Sequence, residues 1–297
     1  MSVNVEDIVL HNFREYVKSA KHILVITGAG LSAASGIPTF RDGGGMWNSL
    51  DVEKLATPEA FATNPGLVWQ FYHYRRVKAL EAQPNQAHYV LARLSIPKLL
   101  KKVAPQAKTF HHVTQNVDRL IIRAMDNLNN DTPESLSHLN HSRVNSVIEI
   151  HGRITDVQCT QCGHREEVLS SPLCSSLDTS ILNGYEDAGS EHRYIAPEDL
   201  PRCSACGALA RPGVVWFGEK PYHLDDINLL VYKADLCIVI GTSSTVRPAS
   251  TYAYRVQRHG GKVAVFNLNE SVGDERADFI FRGPCETELL RVFPELA

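Results

Sequence analysis

Four short runs rich in Val and Ile, each stopping abruptly at small or polar residues, constrain most what this chain can become: 22–27 (HILVIT), 109–114, 235–240 (DLCIVI) and 262–266 (KVAVF). Near-continuous apolar runs of this length suit strands buried on both faces, the situation in parallel sheets covered by helices. Their tails are Gly28-Ala29-Gly30, Gln115-Asn116-Val117-Asp118, Gly241-Thr242-Ser243-Ser244 and Asn267-Leu268-Asn269. Polar chemistry thus collects at the carboxyl ends of the strands, where open α/β sheets bind ligands.

Two segments interrupt the β/α alternation. Residues 41–96 are mostly helical in pattern, with the periodic stretch PGLVWQFYHYRRVKAL, and read as a helical insertion. Residues 152–211 hold Cys159-x-x-Cys162 and Cys203-x-x-Cys206, four of the seven cysteines. Four thiolates suit a closed, structural zinc site, since catalytic zinc keeps one position open for water. Redox-active disulfides are the alternative, but Gly163 and Gly207 each follow a pair, as in the turns of zinc ribbons. The expected fold is therefore α/β: a Rossmann-like parallel sheet with helices on both faces, plus a smaller zinc-ribbon and helical module. Residues 1–40, 97–151 and 212–297 would form the Rossmann-like part of a single domain spanning 1–297. The Asn-, Ser- and His-rich stretch 126–146 reads as a solvated loop.

The composition, 43% hydrophobic and 21% charged with a net charge of -3, gives no electrostatic reason to expect nucleic acid or membrane partners. No apolar run approaches the roughly 18 residues of a membrane span, and the first twenty residues lack a secretory core. Glu6, Asp7 and Glu15 beside Arg14, Lys18 and Lys21 disfavour a mitochondrial presequence. A cytoplasmic monomer is the expectation, with the mitochondrion as the alternative compartment.

Gly28-Ala29-Gly30-Leu31-Ser32-Ala33 is a G-x-G-x-x-A turn, in which missing side chains let backbone N–H groups approach a pyrophosphate. A tight turn without a ligand has the same pattern. A dehydrogenase would continue into a full helix and a second strand. Here Gly36 and Pro38 break the helix early, and Thr39-Phe40-Arg41-Asp42 leads into Gly43-Gly44-Gly45. In that loop Arg41 suits a phosphate and Phe40 suits covering a sugar. Gln115, Asn116 and Asp118 follow a strand end, where alternate residues reach one pocket; an Asx turn capping the next helix is the other reading. Tyr72 and Arg75, three apart, would share a helix face, and taken alone such a pair is ordinary helix surface.

GAGLSAASGIPTFR from Gly28, TQNVD at 114–118, IHG at 150–152, the paired C-x-x-C and GTSS at 241–244 resemble the sirtuin family in order and spacing, over residues 28–285. The resemblance implies an NAD-consuming protein lysine deacylase. The acyl-lysine oxygen attacks C1 of the nicotinamide ribose, nicotinamide leaves, and the acyl group ends on ADP-ribose. It implies NAD contacts from Gly28, Ala29, Gly30, Ser32, Ala33, Phe40, Arg41, Trp47, Gln115, Asn116, Asp118, Gly241, Thr242, Ser243, Asn267, Leu268, Asn269 and Cys285. Among these, Ser243, Asn267 and Cys285 would hold the adenosine half. It makes His151, with Asn116, the catalytic pair, His151 acting as general base near its ordinary pKa of about 6.5. Val215, Trp216, Phe217, Gly218 and Glu219 would pair with an extended substrate peptide. Tyr72 and Arg75, with Ala56 widening the pocket, match the class III members that hold the carboxylate of succinyl-, malonyl- or glutaryl-lysine. NAD as cosubstrate, one structural Zn2+ and acyl-lysine-bearing proteins complete the expectation. A general deacetylase, a mono-ADP-ribosyltransferase or NAD hydrolase, and an idle binding module are the alternatives.

Overall fold

The computed structural model describes residues 4–39, 46–47, 50–130, 147–178 and 193–297. Six parallel strands form the main sheet, in the order Phe279–Arg282, Lys262–Asn267, Leu236–Ile240, His22–Thr27, Thr109–Thr114, Val147–Glu149. Numbered along the chain this is 6-5-4-1-2-3, the doubly wound dinucleotide-binding order, and its direction reverses between His22–Thr27 and Leu236–Ile240.

The four apolar runs form the four central strands. Leu236–Ile240 starts one residue later than the run 235–240, and at its entry the Asp235 carboxylate accepts from the amides of Lys21 and His22 at 2.9 to 3.1 Å. The two edge strands escaped the sequence reading: Val147–Glu149 has three residues, and Phe279–Arg282 has a single buried one, too little for a period to show.

Both faces of the sheet are covered. One core joins Phe13, Ile23, Leu91, Ile121, Phe266 and Leu289; the other packs Ile227, Val231, Tyr252 and Val256 against Leu24, Ile26 and Val239. A third core lies apart from the sheet, uniting Trp47, Phe61, Trp69, Phe71 and Tyr72 with Ile154, Val157, Ala210 and Trp216. Its framework is an antiparallel sheet, Arg165–Glu167, Gly152–Cys159 and Ala210–Val214, and the helix Pro65–Glu81. That helix matches the periodic stretch. Asn64 caps it by accepting from Leu67 N at 3.0 Å, and Pro65 sits where a missing N–H costs nothing. Two boundaries differ from expectation. Gln86–Leu94, within the 41–96 insertion by sequence, packs in the first core through Ala87, Val90 and Leu91. The helix Leu120–Asn130 takes the first residues of the expected loop 126–146, and 131–146 lies outside the described residues.

At the reversal point two turns meet backbone to backbone. The Gly28 amide donates to Ile240 O at 3.0 Å and the Gly30 amide to Gly241 O at 2.8 Å. A Cβ on Gly241, whose φ is +58°, would lie 2.3 Å from Leu31 N. Gly241→Ala should therefore destabilise the fold by more than about 2 kcal/mol, combining left-handed strain with overpacking. Urea unfolding monitored by circular dichroism measures this, and a variant as stable as wild type would contradict it.

Candidate active site

A cavity of about 1460 Å³ opens at the carboxyl ends of the main strands, between the sheet and the third core. This exceeds the roughly 300 to 1,000 Å³ of a typical single-ligand pocket, so the volume has room for more than one ligand. One wall carries Gly28, Ala29, Gly30, Ala33, Gly241, Thr242, Ser243, Asn267, Leu268, Asn269 and Cys285. The facing wall carries Trp47, Ala56, Tyr72, Arg75 and residues 215–219, with Gln115, Asn116, Asp118 and His151 between the two. Phe40 and Arg41 lie outside the described residues.

Three expectations need correction. The Gly28 and Gly30 amides, expected to face a pyrophosphate, are spent on Ile240 and Gly241; these glycines serve the close approach of two turns. Ser32 is fully buried beneath the wall: its hydroxyl donates to Asp118 Oδ2 at 2.8 Å and accepts from Asn116 Nδ2 at 3.2 Å. Within 215–219, the amides of Val215, Trp216, Phe217 and Glu219 bond to His151 O, the Glu219 carboxylate, Ala56 O and Trp216 O. Only the carbonyls and the Gly218 amide remain for any main-chain pairing with a peptide. The Glu219 carboxylate is itself committed, because Arg211 grips both oxygens at 2.6 and 2.8 Å and, against the effect of burial, holds the group below the usual carboxylate range.

The central polar residues are oriented by the backbone. His151 Nδ1 lies 3.0 Å from Gln115 O. A carbonyl only accepts, so Nδ1 carries the proton and Nε2 keeps its lone pair. Burial pushes the imidazole pKa down, against a smaller upward pull from this hydrogen bond. Asn116 Nδ2 also donates to Gly28 O at 3.0 Å, and Gln115 Nε2 donates to Thr27 O at 3.3 Å and Thr242 Oγ1 at 3.1 Å. Asp118 makes the capping contact: Oδ1 accepts from Leu120 N at 2.9 Å at the start of the helix Leu120–Asn130, and the residue also lines the cavity. Burial raises its pKa, opposed by those hydrogen bonds and by the field of Arg75.

Tyr72 and Arg75 do share a helix face, and both border the cavity beside Ala56. Burial raises the phenol pKa and lowers that of the guanidinium. Sequence reasoning missed Tyr74 and Lys78 on the same helix, and Thr245, Val246 and Arg247 directly after GTSS. Tyr74 lies between Tyr72 and Arg75, Lys78 about one turn beyond them, and the other three just past GTSS, and those positions were the available signal.

The Sγ atoms of Cys159, Cys162, Cys203 and Cys206 all lie within 4.8 Å of one another, with Cys159–Cys206 at 3.5 Å and Cys162–Cys203 at 3.7 Å. Tetrahedral zinc with Zn–S of about 2.3 Å requires edges of roughly 3.8 Å. Amides of Cys162 and Gln161 donate to Cys159 Sγ at 3.3 Å, and that of Ala205 to Cys203 Sγ at 3.4 Å, the pattern that stabilises thiolates. Gly163 and Gly207 follow at φ of +71° and +73°, turning the chain back as each knuckle needs. The four residues fit a structural zinc.

Among known proteins, a family model described as Sir2 family matches residues 28–248. The chain belongs to the Sir2 family. A Canis lupus familiaris protein named NAD-dependent protein deacylase sirtuin-5, mitochondrial, is 40% identical over 282 residues, covering 94% of this Sir2 chain and 83% of its own. An NAD-dependent protein deacylase of Pyrococcus abyssi is 39% identical, covering 94% of both. The crystal structure of a Sir2 homologue–NAD complex superposes with a TM-score of 0.73 at 34% identity, covering 97% of this chain and 95% of that one.

The purified protein should carry about one zinc per chain, and Cys162→Ser should lose both the metal and several degrees of melting temperature. Metal analysis with calorimetry checks this; a zinc-free wild type of equal stability would contradict it.

Proposed function

We propose that this Sir2 chain is an NAD-dependent protein lysine deacylase that prefers succinyl- and malonyl-lysine over acetyl-lysine. The observation that carries the reading is the pairing of Tyr72 and Arg75 beside Ala56 in the same cavity as His151 and Asp118. A half-buried guanidinium and a buried phenol make an unfavourable lining for a neutral acetyl group and a favourable one for a carboxylate, which arginine grips bidentately. The named relatives support the NAD-dependent deacylase activity itself.

The roles divide between the walls. The wall from Gly28 to Ala33, with Thr242, Ser243, Asn267, Leu268, Asn269 and Cys285, holds NAD across the sheet's reversal point. NAD supplies an electrophilic ribose carbon and a leaving nicotinamide. Asp118 and Asn116 hold the carboxamide end, and Ser32 beneath them fixes both side chains. His151, neutral and with Nε2 as acceptor, takes a proton from a ribose hydroxyl. The zinc cysteines tie the end of the strand Gly152–Cys159 to the turn Cys203–Cys206, and residues 215–219 border the entry for the target lysine. The word mitochondrial in relatives from Canis and Xenopus supports the mitochondrial alternative over the cytoplasmic expectation.

Arg75→Met should lower kcat/KM for a succinyl peptide roughly 30- to 150-fold, as expected for loss of about 2 to 3 kcal/mol of charge-assisted hydrogen bonding, and leave an acetyl peptide little changed. Steady-state rates on one peptide with the two acyl groups decide it; an acetyl preference in wild type defeats the reading. The pH profile offers a second check. Because His151's pKa lies below the ordinary value of about 6.5, the rate should persist as pH falls past 6.5 and drop only at lower pH, where the imidazole gains a proton. An acid limb centred above 6.5 speaks against His151 as the base.

A further inference from the structure

The helix Pro65–Glu81 presents two neighbouring stripes, about a quarter turn apart at 100° per residue. Tyr72, Arg75 and Ala79 border the cavity. Trp69 and Arg76 are buried toward the antiparallel sheet that leads to the zinc cysteines, and His73 is buried on the same stripe. Trp69 Nε1 donates to Ala210 O at 2.9 Å. Arg76, only 1% exposed, makes the larger attachment: Nη1 donates to Ile154 O at 3.1 Å, and Nη2 to Ser170 O at 3.0 Å and to Val168 O. Ile154 lies in the strand that ends at Cys159, and Val168 and Ser170 follow the strand Arg165–Glu167. Burial lowers the pKa of this cation, and the fields of Asp156 and Glu167, on those same strands, oppose that. A second arginine reaches the same small sheet through carboxylates: Arg119, next to Asp118 and at φ +67°, pairs with Glu167 at 3.3 Å and with Glu149 at 3.1 Å.

We propose that Arg76 is a positioning residue for acidic-acyl recognition: by pinning the helix to the zinc-bearing sheet, it sets the angle and depth at which Tyr72 and Arg75 meet the acyl terminus. This rests on the acyl-pocket reading above. A planar fork spanning three carbonyls on two chain segments fixes the rotation of the helix about its axis, which a single apolar contact does not. Lysine has the same charge but a single point of donation, and so cannot span them. An acetyl group lacks the carboxylate that must meet Arg75, and is indifferent to that rotation.

The test compares wild type, Arg76→Lys, Arg76→Met and Arg75→Met. Readouts are calorimetric Kd values for succinyl- and acetyl-lysine peptides of one sequence, steady-state constants, and melting temperatures. Arg76→Lys should raise Kd and KM for the succinyl peptide about tenfold or more, the scale expected of a sub-ångström to ångström misplacement, while the acetyl Kd and the KM for NAD stay within about twofold. An unchanged succinyl Kd overturns the proposal, as does an equal loss for both acyl groups that follows melting temperature. Arg75→Met separates the two readings. If it retains the succinyl preference, the acyl pocket itself is misassigned; if it loses the preference and Arg76→Lys does not, only the positioning role falls. Should neither Arg76 variant fold, Glu167→Gln, at a partly exposed side chain that pairs with Arg119, removes one of the two carboxylate fields that hold the Arg76 cation against its carbonyls. It should raise the succinyl Kd alone, by about threefold, and an unchanged ratio of the two Kd values overturns the proposal.

Discussion

Backbone meets backbone where the strands His22–Thr27 and Leu236–Ile240 end, and the rest of the molecule is arranged around that contact. The Gly28 and Gly30 amides bond to the neighbouring turn, and Cβ atoms at Gly28 or Gly30 would lie within 3 Å of Gly241 or Thr242. Only side-chain-free positions permit the approach. It fixes the crevice at the point where strand order reverses, and brings the GAG and GTSS segments, more than two hundred residues apart, into one wall.

The remaining polar residues follow from that placement. Gln115 reaches Thr27 and Thr242, Asn116 reaches Gly28, and His151 returns to Gln115 O, so successive strand ends hold one another. Ser32 donates to Asp118 and accepts from Asn116 below the cavity floor. Burying this many polar groups is tolerable because each is paired, and the pairing restricts each side chain to one orientation.

Much of this was legible in the sequence because strongly periodic or strongly apolar segments carry their own signal. HILVIT and DLCIVI read as buried strands, and the stretch from Pro65 as a helix that would place Tyr72 and Arg75 on one face. The four cysteines were legible through spacing and the glycines after them. Less legible was whatever depends on a distant partner. Nothing local says that the Gly30 amide is spent on Gly241, that Ser32 lies under the wall, or that Glu219 is claimed by Arg211. Edge strands of three or four residues are likewise too short to show a period, and Gln86–Leu94 joined the sheet's core because its apolar face found Phe13 and Ile23 there.

The partner of His151 Nδ1 is a main-chain oxygen and not a side-chain carboxylate. The tautomer is thereby set by the course of the chain at Gln115, which no substitution of that side chain deletes. A neutral acceptor also leaves the imidazole without a fixed counter-charge, so its proton affinity answers to how dry the cavity is rather than to ionic strength. Whatever fills or empties the cavity then changes the surroundings of this imidazole, and with them the burial that lowers its pKa.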